Sequence, residues 1–238
     1  MSVVGVDGCK GGWFAIRLED DKPSSVEVFC NIKELWNKWN DASLILIDIP
    51  IGLSDAKRQC DSDARKALGS RHSTVFTPPC REAVQVPCYS EASDCNWKVT
   101  GRKLSKQAWA IAPKIKEVDD LMLKDSKARS IIREVHPEIC FWAFAGKKAM
   151  PHNKKKPAGC KERLALLQKC YPKTKEIFDY SVGKFLRKVV AKDDIIDALV
   201  AALTAKGDPS ELESFPTKPQ CDTEGLPMEM VYRSRPRC

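Results

Sequence analysis

Residues 3–18, VVGVDGCKGGWFAIRL, decide the fold. Val3 to Asp7 is a short apolar run that meets Gly8, and GCKGG supplies the glycines a tight turn requires. Trp13 to Leu18 is apolar again, so the stretch predicts two strands joined by a turn. The acidic residues from Glu19 turn the chain once more, and Ser25 to Phe29 reads as a third strand that completes a β-meander. Ile32, Leu35, Trp36 and Trp39 then recur at helical spacing behind Asn31, a residue suited to the N-cap. Leu44 to Ile49 is a nearly continuous apolar run stopped by Pro50, as expected of a central strand buried on both faces. Three strands, a helix and a strand therefore occupy the first fifty residues.

The rest of the chain adds helices and one more strand. Asp61 to Leu68 reads as helical, and SRHSTVFTPPC (70–80) as a loop, because Pro78 and Pro79 cannot sustain a helix. Ser105 to Leu123 predicts a long helix with Trp109, Ile111, Ile115, Val118 and Leu121 on its apolar face, kinked or broken at Pro113. Ile131 to Val135 reads as a fifth strand. A basic loop with Lys154, Lys155 and Lys156 follows, then helices over Lys161–Cys170 and Asp193–Lys206. The expected organisation is a single domain over 1–206, with a helical and loop insertion at about 53–127. A proline-containing tail, 207–238, is expected to wrap on its surface.

Composition narrows the function classes. The 238 residues are 43% hydrophobic and 30% charged, an ordinary globular balance, and the formal net charge is +8. A basic protein favours polyanions, which makes nucleic acid the expected partner class. No apolar run approaches the ~20 residues of a membrane span. There are 11 cysteines but no C-x-x-C pair, and Cys80, Cys88 and Cys95 are too widely spaced for a zinc knuckle. The chain opens without the basic and apolar regions of a secretory signal, so reduced thiols in a cytoplasmic or nuclear setting are expected.

Several carboxylates need explaining. Asp7 ends the first strand. Asp48 lies within an apolar strand, where an unpaired charge would cost several kcal/mol, roughly, so a metal, a basic side chain or backbone donors should meet it. Asp193 suits the N-cap of the last helix, and Asp194 its first turn. Asp197 lies beside that helix's apolar stripe and three residues after Asp194, so both project from one side. Along the fifth strand, alternation places Glu134, His136 and Glu138 on one face if the strand persists through Pro137. Glu134 is then the expected metal partner, and His136 a half-buried, hydrogen-bonded side chain. Clustered Asp and Glu suit hard ions such as Mg2+ or Mn2+, and two such ions about 4 Å apart can cleave phosphodiesters.

Six segments occur in order: GVDGCKGGW (5–13), LIDIPIGL (46–53), RQCDSDARKALGSRHSTVF (58–76), LSKQAWAIAPKIKEVD (104–119), EVHPEICF (134–141) and DDIIDALVAALTA (193–205). Together the chain resembles an uncharacterised family of predicted nucleases with an RNase H-like fold, related to RuvC-type and RNase H-type nucleases. The resemblance runs from about residue 3 to 206 and resumes at GLPMEMVY (225–232). It implies an α/β fold with a five-stranded mixed sheet in the order 3-2-1-4-5 and helices on both faces. It also implies acidic metal ligands on the first strand, the fourth strand and a late helix: Asp7, Asp48, Asp194 and Asp197, with Glu134 as a further acid. Lys10, Arg65, Arg71, His72 and Lys114 lie near these motifs as candidate phosphate contacts, Arg71 foremost. The expected function is a metal-dependent nuclease. Alternatives are a non-catalytic nucleic-acid binder with the same fold, and an ATP-dependent phosphotransferase of the actin and sugar-kinase superfamily.

Overall fold

The computed structural model describes residues 2–20 and 24–234. The glycine-rich turn folds β1 (Ser2–Cys9) back on β2 (Gly12–Glu19), with Cys9 paired to Gly12. β3 (Ser25–Phe29) adds antiparallel to β2. Helix α1 (Ile32–Trp39) is capped as its sequence predicts: the Asn31 side chain accepts from the Glu34 amide at 2.9 Å. It returns the chain to β4 (Leu44–Ile47), parallel to β1.

The middle of the chain is helical: α2 (Gln59–Leu68), a 3-10 turn (Gly69–Thr74), α3 (Arg81–Gln85), α4 (Tyr89–Thr100), α5 (Lys106–Lys124) and α6 (Ser126–Ile131). Then come β5 (Ile132–Glu134), α7 (Pro137–Phe144), α8 (Pro157–Cys170), α9 (Thr174–Lys184) and α10 (Lys192–Ala205). A hairpin of β6 (Glu213–Cys221) and β7 (Pro227–Tyr232) follows. The main sheet has five strands in the order β3-β2-β1-β4-β5, the expected mixed topology.

Period-two alternation sorts the strand residues into two cores. Val4, Val6, Ile45, Ile47 and Ile132 pack against α1 and α5. Val3, Leu44 and Leu46 pack, with Phe14 and Ile16, against α7 and α10 on the other face. Every residue of α10 from Ile195 to Ala205 is buried, so this helix is the centre of the second core. It sits directly on β1 because Gly5 has no side chain. A β-carbon there would fall within 2.7 Å of the Ala202 Cα, and closer still to the Ala202 nitrogen and the Ala198 carbonyl oxygen.

Helix α5 runs from Lys106 to Lys124 as one helix that contains Pro113. Two expectations are corrected. Helix α10 begins at Lys192, so Asp193 is not its N-cap. Ala191 holds that position, and Asp194 accepts from the Ala191 amide at 2.8 Å. Residues 207–234 are more than a surface tail. In β7, Met228, Met230, Val231 and Tyr232 are buried in the α10-side core, and Val231 bridges Val135 beyond the end of β5. Arg133 fixes this strand through a bidentate pair with Glu229 at 2.8 Å.

Candidate metal centre

Asp7 and Asp48 stand side by side at the carboxyl ends of β1 and β4. Val6 pairs with Ile47, and the Asp48 amide donates to the Val6 carbonyl at 3.0 Å. Gly5 and Leu46, two residues earlier on each strand, face α10, so alternation directs both carboxylates to that face. Close packing of α10 over Gly5 brings Asp194 and Asp197, in its first turns, to the same place. Asp7, Asp48 and Asp197 feel one another's charge, and Asp7 also feels Asp194. Four sequence-predicted acids thus converge from three elements.

A lysine stands among them. The Lys154 ammonium bonds Asp197 Oδ2 and lies within the field of Asp7 and Asp48. Partial burial opposes its charge, but these carboxylates outweigh burial and hold it firmly protonated. The other Asp197 oxygen, Oδ1, is buried with no hydrogen-bond partner among the described residues. Behind the cluster, buried Arg163 grips Glu138 bidentately at 2.7 and 2.9 Å, and Glu138 adds its field at Asp48 and Asp197.

Burial raises the pKa of each carboxyl in the cluster. Asp7 is pushed well above the usual range, first by burial and then by Asp197 and Asp48. Asp48 and Asp197 are pushed up to about 6 by burial, against the pull of Lys154. Asp194 also reaches about 6, through burial opposed by its bond from the Ala191 amide. A carboxyl whose folded pKa is raised contributes stability below the unfolded value near 4, and that stability is lost as pH rises through 6. In EDTA the protein is therefore expected to lose on the order of a few kcal/mol between pH 4.5 and 7.5. Urea midpoints across this window check it, and Asp48→Asn should flatten the profile. An unchanged profile in Asp48→Asn would contradict the assignment.

Other predicted residues lie elsewhere. Ile47 and Glu134 are register partners, and Ile132 and Ile47 face α5, so Glu134 points away from Asp7 and Asp48. Glu134 is ion-paired with buried Arg58 and accepts the Ile51 amide at 2.7 Å, which corrects its expected role as a metal partner. Nor do Glu134, His136 and Glu138 share a strand face, because α7 begins at Pro137. His136 is half-buried, with Nε2 3.3 Å from the Thr74 carbonyl, and burial lowers its pKa.

The candidate phosphate contacts are mostly engaged with the fold. Arg65 Nε donates to the Val75 carbonyl at 2.9 Å, and Arg71 Nε to the Met150 carbonyl at 2.9 Å. The Lys114 ammonium reaches the Gly12 carbonyl and lies 4.4 Å from the Trp13 ring centroid. His72 and Lys10 are exposed, Lys10 in the turn that follows β1. Sequence reasoning missed Lys154, which reads as one of three adjacent loop lysines, and the Glu138–Arg163 pair, whose partners are distant in sequence.

A family model described as "Protein of unknown function (DUF429)" matches residues 5–221. The chain belongs to the DUF429 family. The matched span takes in all four clustered aspartates and Lys154 and ends before β7. No curated protein and no solved structure matches the chain. Among the described residues of this DUF429 chain, no helix is long and apolar enough to cross a membrane.

Among those residues, too, no three acidic, histidine or cysteine side chains stand pre-spaced around a common ion position. The Lys154 ammonium takes part of that space. The donor set nevertheless fits a hard divalent ion: every oxygen is a carboxylate, and the buried Asp197 Oδ1 has no hydrogen-bond partner among the described residues.

Proposed function

We propose that this protein is a divalent-metal-dependent nuclease acting on phosphodiester bonds. The observation that carries this reading is the convergence of Asp7, Asp48, Asp194 and Asp197 from two strand ends and one helix, with an Asp197 oxygen left buried and partnerless. These four residues would hold Mg2+ or Mn2+, with Asp194 contributing the oxygen its backbone bond leaves free. Such an ion supplies an activated water and offsets charge on the leaving oxygen. The chain's residues do the rest. The β1–β4 pairing places Asp7 and Asp48, α10 places Asp197, and Glu138, held by Arg163, adds its field at Asp48 and Asp197.

A second reading is a non-catalytic nucleic-acid binder, favoured by the Lys154 ammonium that already neutralises part of the cluster. One screen separates the two. Purified protein meets labelled single strands, duplexes, RNA–DNA hybrid and a four-way junction in Mg2+ or Mn2+, beside an EDTA control and Asp7→Asn. The nuclease reading predicts cleavage that requires metal and falls by at least about a thousandfold in Asp7→Asn. Binding without cleavage, or equal cleavage by Asp7→Asn, would sink it.

A further inference from the structure

A cleft of about 910 Å3 opens beside the carboxylates, between α8, α9 and the first turn of α10. Its rim carries Lys155, Lys156, Lys161, Arg187 and Lys192. All five are exposed, and none makes an ion pair among the described residues. A sixth rim cation, Lys175, is held by Asp179 at 2.5 Å. Asp193 is the one acid in the lining among the described residues. Five like charges held together without partners repel one another, so their arrangement is unfavourable until an anion fills the space. Pro157, Leu164 and Ala165 add apolar surface to the lining.

The cleft reaches the candidate metal centre. Lys154 lines the cleft while its ammonium bonds Asp197. Ala191, on the α10 side of the cleft, donates its amide to Asp194. The cleft therefore adjoins the α10 side of the carboxylate cluster.

We propose that this cleft binds the backbone of a single-stranded polynucleotide and leads it to the carboxylate cluster. This deepens the nuclease reading and rests on it for the cluster's chemistry, but not for binding. The cationic residues match phosphates, and the apolar part of the lining accepts sugar and base surfaces. The wall that α8 supplies, from Pro157 to Gln168, is about 17 Å long at 1.5 Å per residue, enough for a short run of nucleotides. A duplex turns its bases inward and offers this apolar lining only sugar and phosphate, so it matches the cleft less well. None of these rim residues stands among the phosphate contacts that the sequence motifs suggest. They come together only because α8 and α9 fold against the start of α10.

The test is binding in EDTA, where cleavage cannot occur, of labelled dT12, rU12 and a 12-base-pair duplex, read by fluorescence anisotropy. The full-length parent and the Lys155→Glu/Lys161→Glu/Arg187→Glu variant are compared. All three positions are exposed, so the variant should keep the parent's circular dichroism and melting temperature. The expected result is single-strand binding stronger than duplex binding. If three to five cations meet phosphate, the slope of log K against log salt should be about −2 to −3.5. The variant should bind single strands at least tenfold more weakly. Equal binding by parent and folded variant, no single-strand binding by the parent, or a duplex bound as tightly as dT12 and rU12 would overturn the proposal. Failure of the nuclease reading looks different: single strands would bind through these residues and remain uncut when metal is added.

Discussion

Gly5→Ala is expected to destabilise the protein by about 3 kcal/mol or more and to disable the carboxylate cluster at the same time. Gly5 is where α10 touches the central strand. The atoms that an alanine methyl would meet there are backbone: the Ala202 nitrogen and Cα, and the Ala198 carbonyl oxygen. A flexible side chain could turn away, but a helix backbone must move as a unit. Ordinary carbon contacts need about 3.5 Å or more, so α10 must retreat or tilt by the better part of an ångström. Asp197 immediately precedes Ala198 on this helix, while Asp7 lies two residues beyond Gly5 on the strand. Any retreat therefore separates the α10 carboxylates from those on β1 and β4. A misplacement of that size can cost about a hundredfold in rate. Denaturant unfolding and a cleavage assay on the same preparation check both halves. A variant with the parent's midpoint and rate would show that the close approach carries neither stability nor site geometry.

Lys154→Met is expected to make the metal-free protein less stable and to tighten its hold on divalent metal. The ammonium is the resident counter-ion of Asp197 and lies in the field of Asp7 and Asp48. Breaking a fully buried ion pair costs about 3–5 kcal/mol, but the Lys154 side chain is 30% exposed, so the loss should be nearer about 2 kcal/mol. Protonation of the raised carboxyls limits that loss below pH 6. A divalent ion bound by the cluster would compete with the ammonium for the same oxygens. With the ammonium gone, Mn2+ affinity should rise about tenfold, equivalent to about 1.4 kcal/mol. Calorimetric titration of parent and variant reads the change directly. Unchanged affinity would mean that Lys154 does not occupy the ion's place, and weaker affinity would mean that it helps to form the site.

The sheet and the four acid positions of the cluster were legible because the relevant signals are local. Strand alternation, the GCKGG turn and an aspartate at the end of an apolar run give β1, β2 and β4, and place Asp7 and Asp48 at strand ends. Asp197 was legible from its place beside the apolar stripe of α10. Asp194 was placed correctly, but its role as the residue that reaches back to the Ala191 amide depends on an N-cap two residues earlier than Asp193.

What was not legible depends on tertiary pairing. Alternation relates Glu134 to its neighbours on β5, but only the register against Ile47 tells which face of the sheet it occupies. Arg58, its partner, lies 76 positions away in sequence. Lys154 cannot be told from Lys155 and Lys156 until the loop folds over α10. β7 did carry a local signal, the alternation of Met228, Met230 and Tyr232, but it lies among prolines that favour an irregular reading.

The most direct test of the metal centre is a comparison of melting temperatures for parent and Asp7→Asn at pH 7.5, in EDTA and in excess Mn2+. No hydrogen bond or ion pair holds Asp7 among the described residues. Burial and its acidic neighbours make its charge unfavourable in the metal-free fold. The asparagine side chain removes that charge at nearly the same size. The account predicts that Asp7→Asn melts higher than the parent in EDTA, and that Mn2+ raises the parent's melting temperature but leaves the variant's nearly unchanged. A parent that Mn2+ does not stabilise, or a variant that gains as much as the parent, would contradict it.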